Sequence, residues 1–368
     1  MPTRQTRFSA TRRRLPLLAG VTAMLMAFTS AAHANPHIVV DVATGRVIDH
    51  EDAFRKWYPA SLTKLMTTYT VFRALKAGEI RLDSLVTMSK HAADQPASKM
   101  YYKPGQQLTL DSAMKILLIK SANDIAVAIG ETVGGSQDAF VARMNAEARR
   151  IGMTSSHFIN PNGLPGKGQY TTARDLAVLT VTLKREFPEY AGYFSLEGFT
   201  TGKKDYPNYN LLIGRFDGAD GMKTGFICAS GFNQVSSATR NGRSVVSVVL
   251  GTDSLGARAD ASADLLQRAL TTGGQGNATL ATLAPYGADR DTVADISADI
   301  CSAKGQKVRS EGRDEVGRMK LLSPYIHEMD HKPTFVFAGL IPGSDAKPQK
   351  TAAGEIANVP IPLPRPTF

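Results

Sequence analysis

Apolar positions along the chain follow two different periods, and the change between them divides the sequence. Near the start, Ile38-Val39-Val40-Asp41-Val42, then Ala43-Thr44-Gly45-Arg46, then Val47-Ile48 spell a strand, a glycine-containing turn and a second strand. A helical period follows. Pro59 precedes a predicted helix over about 60–76, closed by Gly78. A second covers about 110–120, with Ala113, Ile116, Leu117 and Ile119 on its apolar face. Ser136 reads as the N-cap of a helix over 137–150 that stops at Gly152, and 172–184 is another. Strand character returns at 231–239 and 244–250, joined through Asn241-Gly242, a dipeptide that favours a tight hairpin. A last helix is expected over 259–270. Strand pair, helical block, hairpin and final helix predict a mixed α/β fold. Its antiparallel sheet is assembled from both ends of the domain and flanked by helices, with an inserted helical subdomain.

The ends of the chain differ in composition. Arg4, Arg7, Arg12, Arg13 and Arg14 form a basic leader without acids, followed by an apolar run over 15–28 and then Ala32-His33-Ala34. That order is a secretory signal peptide over 1–34, and the run is short for a membrane span; an uncleaved anchor is the alternative. The main domain is expected over 35–272. Around Thr272-Gly273-Gly274-Gln275-Gly276 the composition shifts, so 273–368 reads as a small appended region. Its end carries Pro360, Pro362, Pro364 and Pro366, which rules out a helical anchor there and leaves membrane association open.

Apolar residues make up 43% of the 368 positions and charged residues 21%, enough for a core and too few charges for a disordered chain. The formal charge of +10 falls to +5 once the five leader arginines are subtracted. No basic stripe interleaved with aromatics exists, and Trp57 is the single tryptophan, so nucleic acid is not expected as a partner. Both cysteines, Cys228 and Cys301, lie in the part expected to be exported. In an oxidising compartment they would pair and tie the C-terminal region to the main domain; two separate buried thiols is the other reading.

Three short motifs carry the candidate chemistry, in order: Ser61-Leu62-Thr63-Lys64, Ser121-Ala122-Asn123 and Lys223-Thr224-Gly225. Residues three apart on a helix share a face, so Lys64 reaches the Ser61 hydroxyl. At a helix N-terminus, free N–H groups favour negative charge developing on the serine. A lysine acts as a base only when neutral, and burial together with a second cation, for which Lys223 is the candidate, depresses its pKa. The Ser112–Lys115 and Ser344–Lys347 repeats of the same spacing lack this setting.

The triple, with Tyr58-Pro59-Ala60 before it, Phe158-Ile159-Asn160-Pro161-Asn162-Gly163-Leu164-Pro165 and Asp220-Gly221-Met222 around it, resembles the low-molecular-mass penicillin-binding proteins, the serine-type D-alanyl-D-alanine carboxypeptidases. The resemblance spans about 36–270. It implies a β-lactamase-like DD-peptidase fold and removal of the terminal D-alanine from peptidoglycan stem peptides ending in D-Ala-D-Ala. β-Lactams would be covalent inhibitors, and no cofactor or metal is expected. Ser61 would be the nucleophile, Lys64 its base, and Ser121 with Lys223 the donor to the leaving amine. Asn123 would hold a substrate carbonyl, and Thr224 with Arg258 the terminal carboxylate. The N–H groups of Ser61 and Phe226 would form the oxyanion hole beside Gly225. The family often has His after Lys-Thr-Gly, where this chain has Phe226.

Two rival readings use the same fold. A class A-like β-lactamase needs a glutamate in a Glu-x-x-Leu-Asn context, and none follows Asn123. A wall-binding protein without activity would keep the fold and lose the reactive side chains. His327-Glu328-Met329-Asp330-His331 also spells a zinc-protease motif, but Pro324 and Pro333 bracket it too closely for the long helix such a site requires.

Overall fold

The computed structural model describes residues 1–3, 35–272, 277–311 and 319–344. The leader and the proline-rich end named above lie outside the described residues. In chain order, β1 (His37–Asp41) and β2 (Val47–Glu51) are followed by a 3-10 turn (Ala60–Leu62) and α1 (Thr63–Lys76). Then come β3 (Leu85–Thr87), α2 (Lys90–Ala93), β4 (Gln107–Thr109), α3 (Leu110–Ile119), α4 (Asn123–Gly134), α5 (Gln137–Arg150) and α6 (Ala173–Glu186). The second half holds β5 (Gly198–Thr200), β6 (Asp205–Pro207), β7 (Ala219–Ile227), β8 (Gly231–Arg240), β9 (Arg243–Thr252) and α7 (Leu255–Thr272). Finally α8 (Ser297–Ile300), α9 (Ala303–Glu311) and β10 (Phe335–Phe337) complete the described chain.

The main sheet has the order β2-β1-β9-β8-β7, and every pairing in it is antiparallel. Its N-terminal strand therefore sits between two others and pairs His37 with Val249. The run Val245-Val246-Ser247-Val248-Val249-Leu250 shows why both faces are covered. Val245 and Val249 pack with Val39 against Ala259, Ala263 and Leu266 of α7. Val246, Val248 and Leu250 point to the other face, into the core shared with α1 and α6. Alternation alone assigns these residues to opposite sides, as a strand period of two requires. The β8–β9 hairpin turns through Asn241 and Gly242, both at positive φ, the geometry this dipeptide favours.

Helix α1 is the axis of the domain. Eleven of its residues are buried, including Lys64, Thr67, Thr68 and Thr70. The threonine hydroxyls are satisfied internally: Thr68 and Thr70 donate to the carbonyls of Lys64 and Met66, one turn back. Thr67 instead donates to the Pro161 carbonyl at 2.6 Å and so fastens the 160–163 loop to the helix. Buried hydroxyls placed this way avoid the cost of an unpaired polar group.

The C-terminal segments lie along this body. β10 pairs in parallel with β5 through Phe335–Gly198 to Phe337–Thr200, and Cys301 is disulfide-bonded to Cys228, just beyond β7. Among the described residues, no helix is long and apolar enough to cross a membrane.

Candidate active site

Ser61 lies in the 3-10 turn rather than in α1 itself, because Ala60 takes a positive φ of 48° and the α-helical bonding starts only at Thr63. A left-handed alanine costs of order 1 kcal/mol and is retained where the surroundings over-determine it. Here the surroundings are Gly163 and Gly225. A Cβ on Gly163 would meet the Ala60 carbonyl oxygen at 1.7 Å, and one on Gly225 would meet the Ser61 and Leu62 nitrogens at 3.1 Å. The Ser61 turn is thus gripped between two backbones that only glycine permits to approach.

Lys64 is fully buried, and its nitrogen makes three contacts: 3.0 Å to Ser61 Oγ, 2.8 Å to Asn123 Oδ1 and 2.6 Å to the Asn162 carbonyl oxygen. As an ammonium it donates to all three. Once neutral it keeps two hydrogens, which the two carbonyl oxygens claim, and its lone pair then faces the Ser61 hydroxyl. Burial drives its pKa well below the ordinary lysine value, the nearby Lys223 charge pushes it further down, and Asp124 opposes the fall. A neutral Lys64, able to act as a base, is therefore favoured by the site itself.

Asn123 is held on both sides. Its side-chain nitrogen donates to the Pro96 carbonyl at 3.0 Å and its main-chain N–H to the Ser98 carbonyl at 2.7 Å. Asp124, also buried, accepts from the amides of Met100 and Tyr101 and keeps the 96–101 loop against the start of α4. Ser121 occupies a positive φ of 63°, and its buried hydroxyl has no partner among the described residues. A buried hydroxyl left without a partner costs stability, and this one lines the same cleft as Ser61.

Lys223 and Thr224 sit on β7, the edge strand facing the 3-10 turn. Lys223 is buried, with its pKa lowered to about 7 by desolvation and by the Arg258 charge, and it donates to the Thr224 carbonyl at 2.9 Å. Arg258 belongs to the first turns of α7, which begins before the predicted 259–270 helix. It is 3% exposed and reaches the Gly225 and Tyr209 carbonyls at 3.4 and 3.3 Å, with its Nε unpaired among the described residues. Burial lowers its pKa to about 9, so it remains a cation at neutral pH.

These groups line one cleft of about 420 Å³ that contains Ser61, Ser121, Asn123, Thr224, Gly225, Phe226 and Arg258. Lys64 and Lys223 lie behind that wall. The sequence motifs did not reveal the Asn162 carbonyl, nor Tyr209 and Phe232, which also line the cleft. The Phe226 ring is 38% exposed and packs on Phe232 with centroids 4.2 Å apart. The other two Ser-x-x-Lys matches are elsewhere: Lys115 pairs with Asp111 at 2.6 Å, and Lys347 is outside the described residues. The His327–His331 segment is not helical, and His331 is bound to Glu197 at 2.6 Å.

Residues 23–254 match the model of the D-alanyl-D-alanine carboxypeptidase family. The chain belongs to this family. Among its relatives, D-alanyl-D-alanine carboxypeptidase DacC of Escherichia coli is 40% identical over 225 residues, covering 59% of this chain and 56% of that protein. DacA of the same organism is 35% identical over 270 residues, covering 67% of this chain and 66% of that one. The chain thus spans little more than half of DacC and just under two thirds of DacA. Penicillin binding protein 5 of Haemophilus influenzae has a similar structure, with a TM-score of 0.62 and 33% identity over 65% of this chain and 71% of that one. Penicillin-Binding Protein D2 of Listeria monocytogenes, solved with ampicillin bound, has a TM-score of 0.60 at 28% identity, covering 65% of this chain and 98% of that one. The fold of this carboxypeptidase-family chain is accordingly the mixed α/β fold of the penicillin-binding proteins.

Proposed function

We propose that this chain is a serine-type D-Ala-D-Ala carboxypeptidase acting on peptidoglycan stem peptides in the cell envelope. Ser61 Oγ attacks the carbonyl of the penultimate D-alanine while its proton passes to neutral Lys64. The developing oxyanion is met by the N–H groups of Ser61 and Phe226, fixed donors of the kind that lower such barriers by several kcal/mol. The bond to the terminal D-alanine then breaks, and its nitrogen takes the proton that Lys64 received, relayed through Ser121 beside the Lys223 charge, which leaves Lys64 neutral again. Thr224 and Arg258 hold the carboxylate of the departing D-alanine. Water then attacks the acyl-enzyme, its proton passes to the again neutral Lys64, and Lys64 returns that proton to Ser61 Oγ as the acyl–oxygen bond breaks.

The observation that carries this reading is the 3.0 Å contact between Ser61 Oγ and the fully buried nitrogen of Lys64. A β-lactam presents a strained amide to the same serine, and the likeness to an ampicillin-bound relative supports covalent inhibition by such drugs. Intact-mass spectrometry after brief incubation with benzylpenicillin tests the reading. One penicilloyl adduct on the wild type, absent from Ser61→Ala, is the expected result. Folded wild-type protein without an adduct would overturn it.

A further inference from the structure

Beside the cleft, two lysines share one aromatic ring. The Nζ of Lys120 lies 5.1 Å and that of Lys204 5.4 Å from the centroid of Tyr206. Lys120 immediately precedes Ser121, and its carbonyl accepts from the hydroxyl of Ser98, which lines the cleft. A third cation, Lys99, lies 5.2 Å over the exposed Tyr101 ring and donates to the Ala93 carbonyl. Among the described residues, no carboxylate lies within 4.0 Å of Lys99, Lys120 or Lys204, whereas Arg73, Lys115, Arg143 and Lys184 each have such a partner. Asp124, whose charge acts on Lys120, turns its oxygens to the Met100, Tyr101 and Ile125 amides. Lys120 is partly buried, and its pKa is lowered by desolvation and by the Lys204 charge.

Bringing two cations onto one ring costs energy through their repulsion. The ring quadrupole offsets that cost only in part. An anion between them removes the repulsion altogether. Such an arrangement, unneutralised by the protein, is complementary to a negative charge brought from outside. We propose that Lys120 and Lys204, with Tyr206, form a subsite for a carboxylate carried by the substrate peptide on the N-terminal side of its D-Ala-D-Ala pair. The inference rests on the carboxypeptidase reading for the direction of the peptide. Arg258 holds the terminal carboxylate at one end of the cleft, so the remainder of the peptide leaves past Asn123 and Ser98, toward Lys120.

The test uses two peptides identical except that every carboxylate N-terminal to the D-Ala-D-Ala pair is free in one and amidated in the other. Affinities are measured calorimetrically on full-length Ser61→Ala, which needs no turnover, and on Ser61→Ala carrying Lys120→Gln and Lys204→Gln. The expected result is roughly tenfold tighter binding of the acidic peptide, declining as salt is raised, and no discrimination in the triple variant. Lys204→Gln alone, at an exposed position, should remove part of the preference without touching the fold. Equal affinity for both peptides in the parent, or a preference that survives both substitutions, would overturn the subsite. Benzylpenicillin acylation of the otherwise wild-type Lys120→Gln/Lys204→Gln protein reports separately on Ser61. An unlabelled wild type would sink the acyl-enzyme reading while the affinity comparison still decides the subsite.

Discussion

The main-chain oxygen of Asn162 lies 2.6 Å from the Lys64 nitrogen, closer than the Ser61 hydroxyl at 3.0 Å. A carbonyl from a distant loop thus orients the Lys64 amine, and Asn123 supplies the second acceptor. The loop keeps that carbonyl in place through Gly163, at φ +86°, whose N–H donates to Asn160 Oδ1 at 2.7 Å.

Gly163→Ala should therefore damage the reaction without removing any reactive group. The new Cβ would collide with the Ala60 carbonyl, so either the Ser61 turn or the Asn162 carbonyl must move. Displacements of about 1 Å at such a centre cost on the order of 100-fold in rate. Stopped-flow acylation by benzylpenicillin should show at least this loss, and an unchanged rate would remove the loop from the mechanism.

The pH profile of acylation should have two limbs. The rate should rise with pH as Lys64 loses its proton, at a pH well below the ordinary lysine value. It should fall as pH passes about 7, where Lys223 gives up its own proton and charge. Lys223→Ala removes a cation that disfavours protonation of Lys64, so the rising limb should move to higher pH and the falling limb should vanish. A rising limb that stays in place would mean that the two charges do not communicate.

Arg258 is a buried cation whose Nε has no partner among the described residues, an arrangement expected to cost stability. Arg258→Met should keep or raise the melting temperature while raising KM for D-Ala-D-Ala peptides about 50-fold or more, as for loss of a charged hydrogen-bond partner. Calorimetry and steady-state kinetics on the same preparation check both halves. A destabilised protein with normal KM would reverse the assignment.

Joining Cys228 to Cys301 closes a loop across a sequence separation of 73. On chain-entropy grounds this stabilises by about 4 kcal/mol, with measured cases from near zero to about 5. Cys228→Ser/Cys301→Ser should lower the denaturant midpoint accordingly. Because Cys228 is two residues from Phe226, and Ala229 accepts from the Ile296 amide, acylation should slow as well.

Some of this architecture could be read directly and some could not, for identifiable reasons. The Ser61–Lys64 pair was legible because spacing on a turn is a local property. The β8–β9 hairpin was legible because Asn241-Gly242 dictates its own backbone. Strand β7 carries Gly221, Gly225 and a buried Lys223, which breaks the alternation that identifies strands, and its presence follows only from pairing with β8. The helix expected from position 60 starts late because Ala60 is forced left-handed by contacts with a loop a hundred residues away. The Asn162 carbonyl carries no side-chain signature at all. Nor does the three-residue strand β10, whose pairing with β5 joins segments far apart in the chain.

The position of β1 has a consequence for how the molecule is made. His37 pairs with Val249, 249 − 37 = 212 residues later, and β1 has β2 on its other side. A ribosome or a translocation channel delivers the N-terminal strands first, yet their central partner arrives only with β9. Until then β1 and β2 are a bare hairpin, and two strands alone are marginal in water. The sheet therefore closes late and all at once, through contacts of very long sequence separation, which makes folding slow. Premature truncation anywhere before Thr252 leaves apolar strand edges open, so fragments of this protein are expected to aggregate or be degraded rather than accumulate as partial domains.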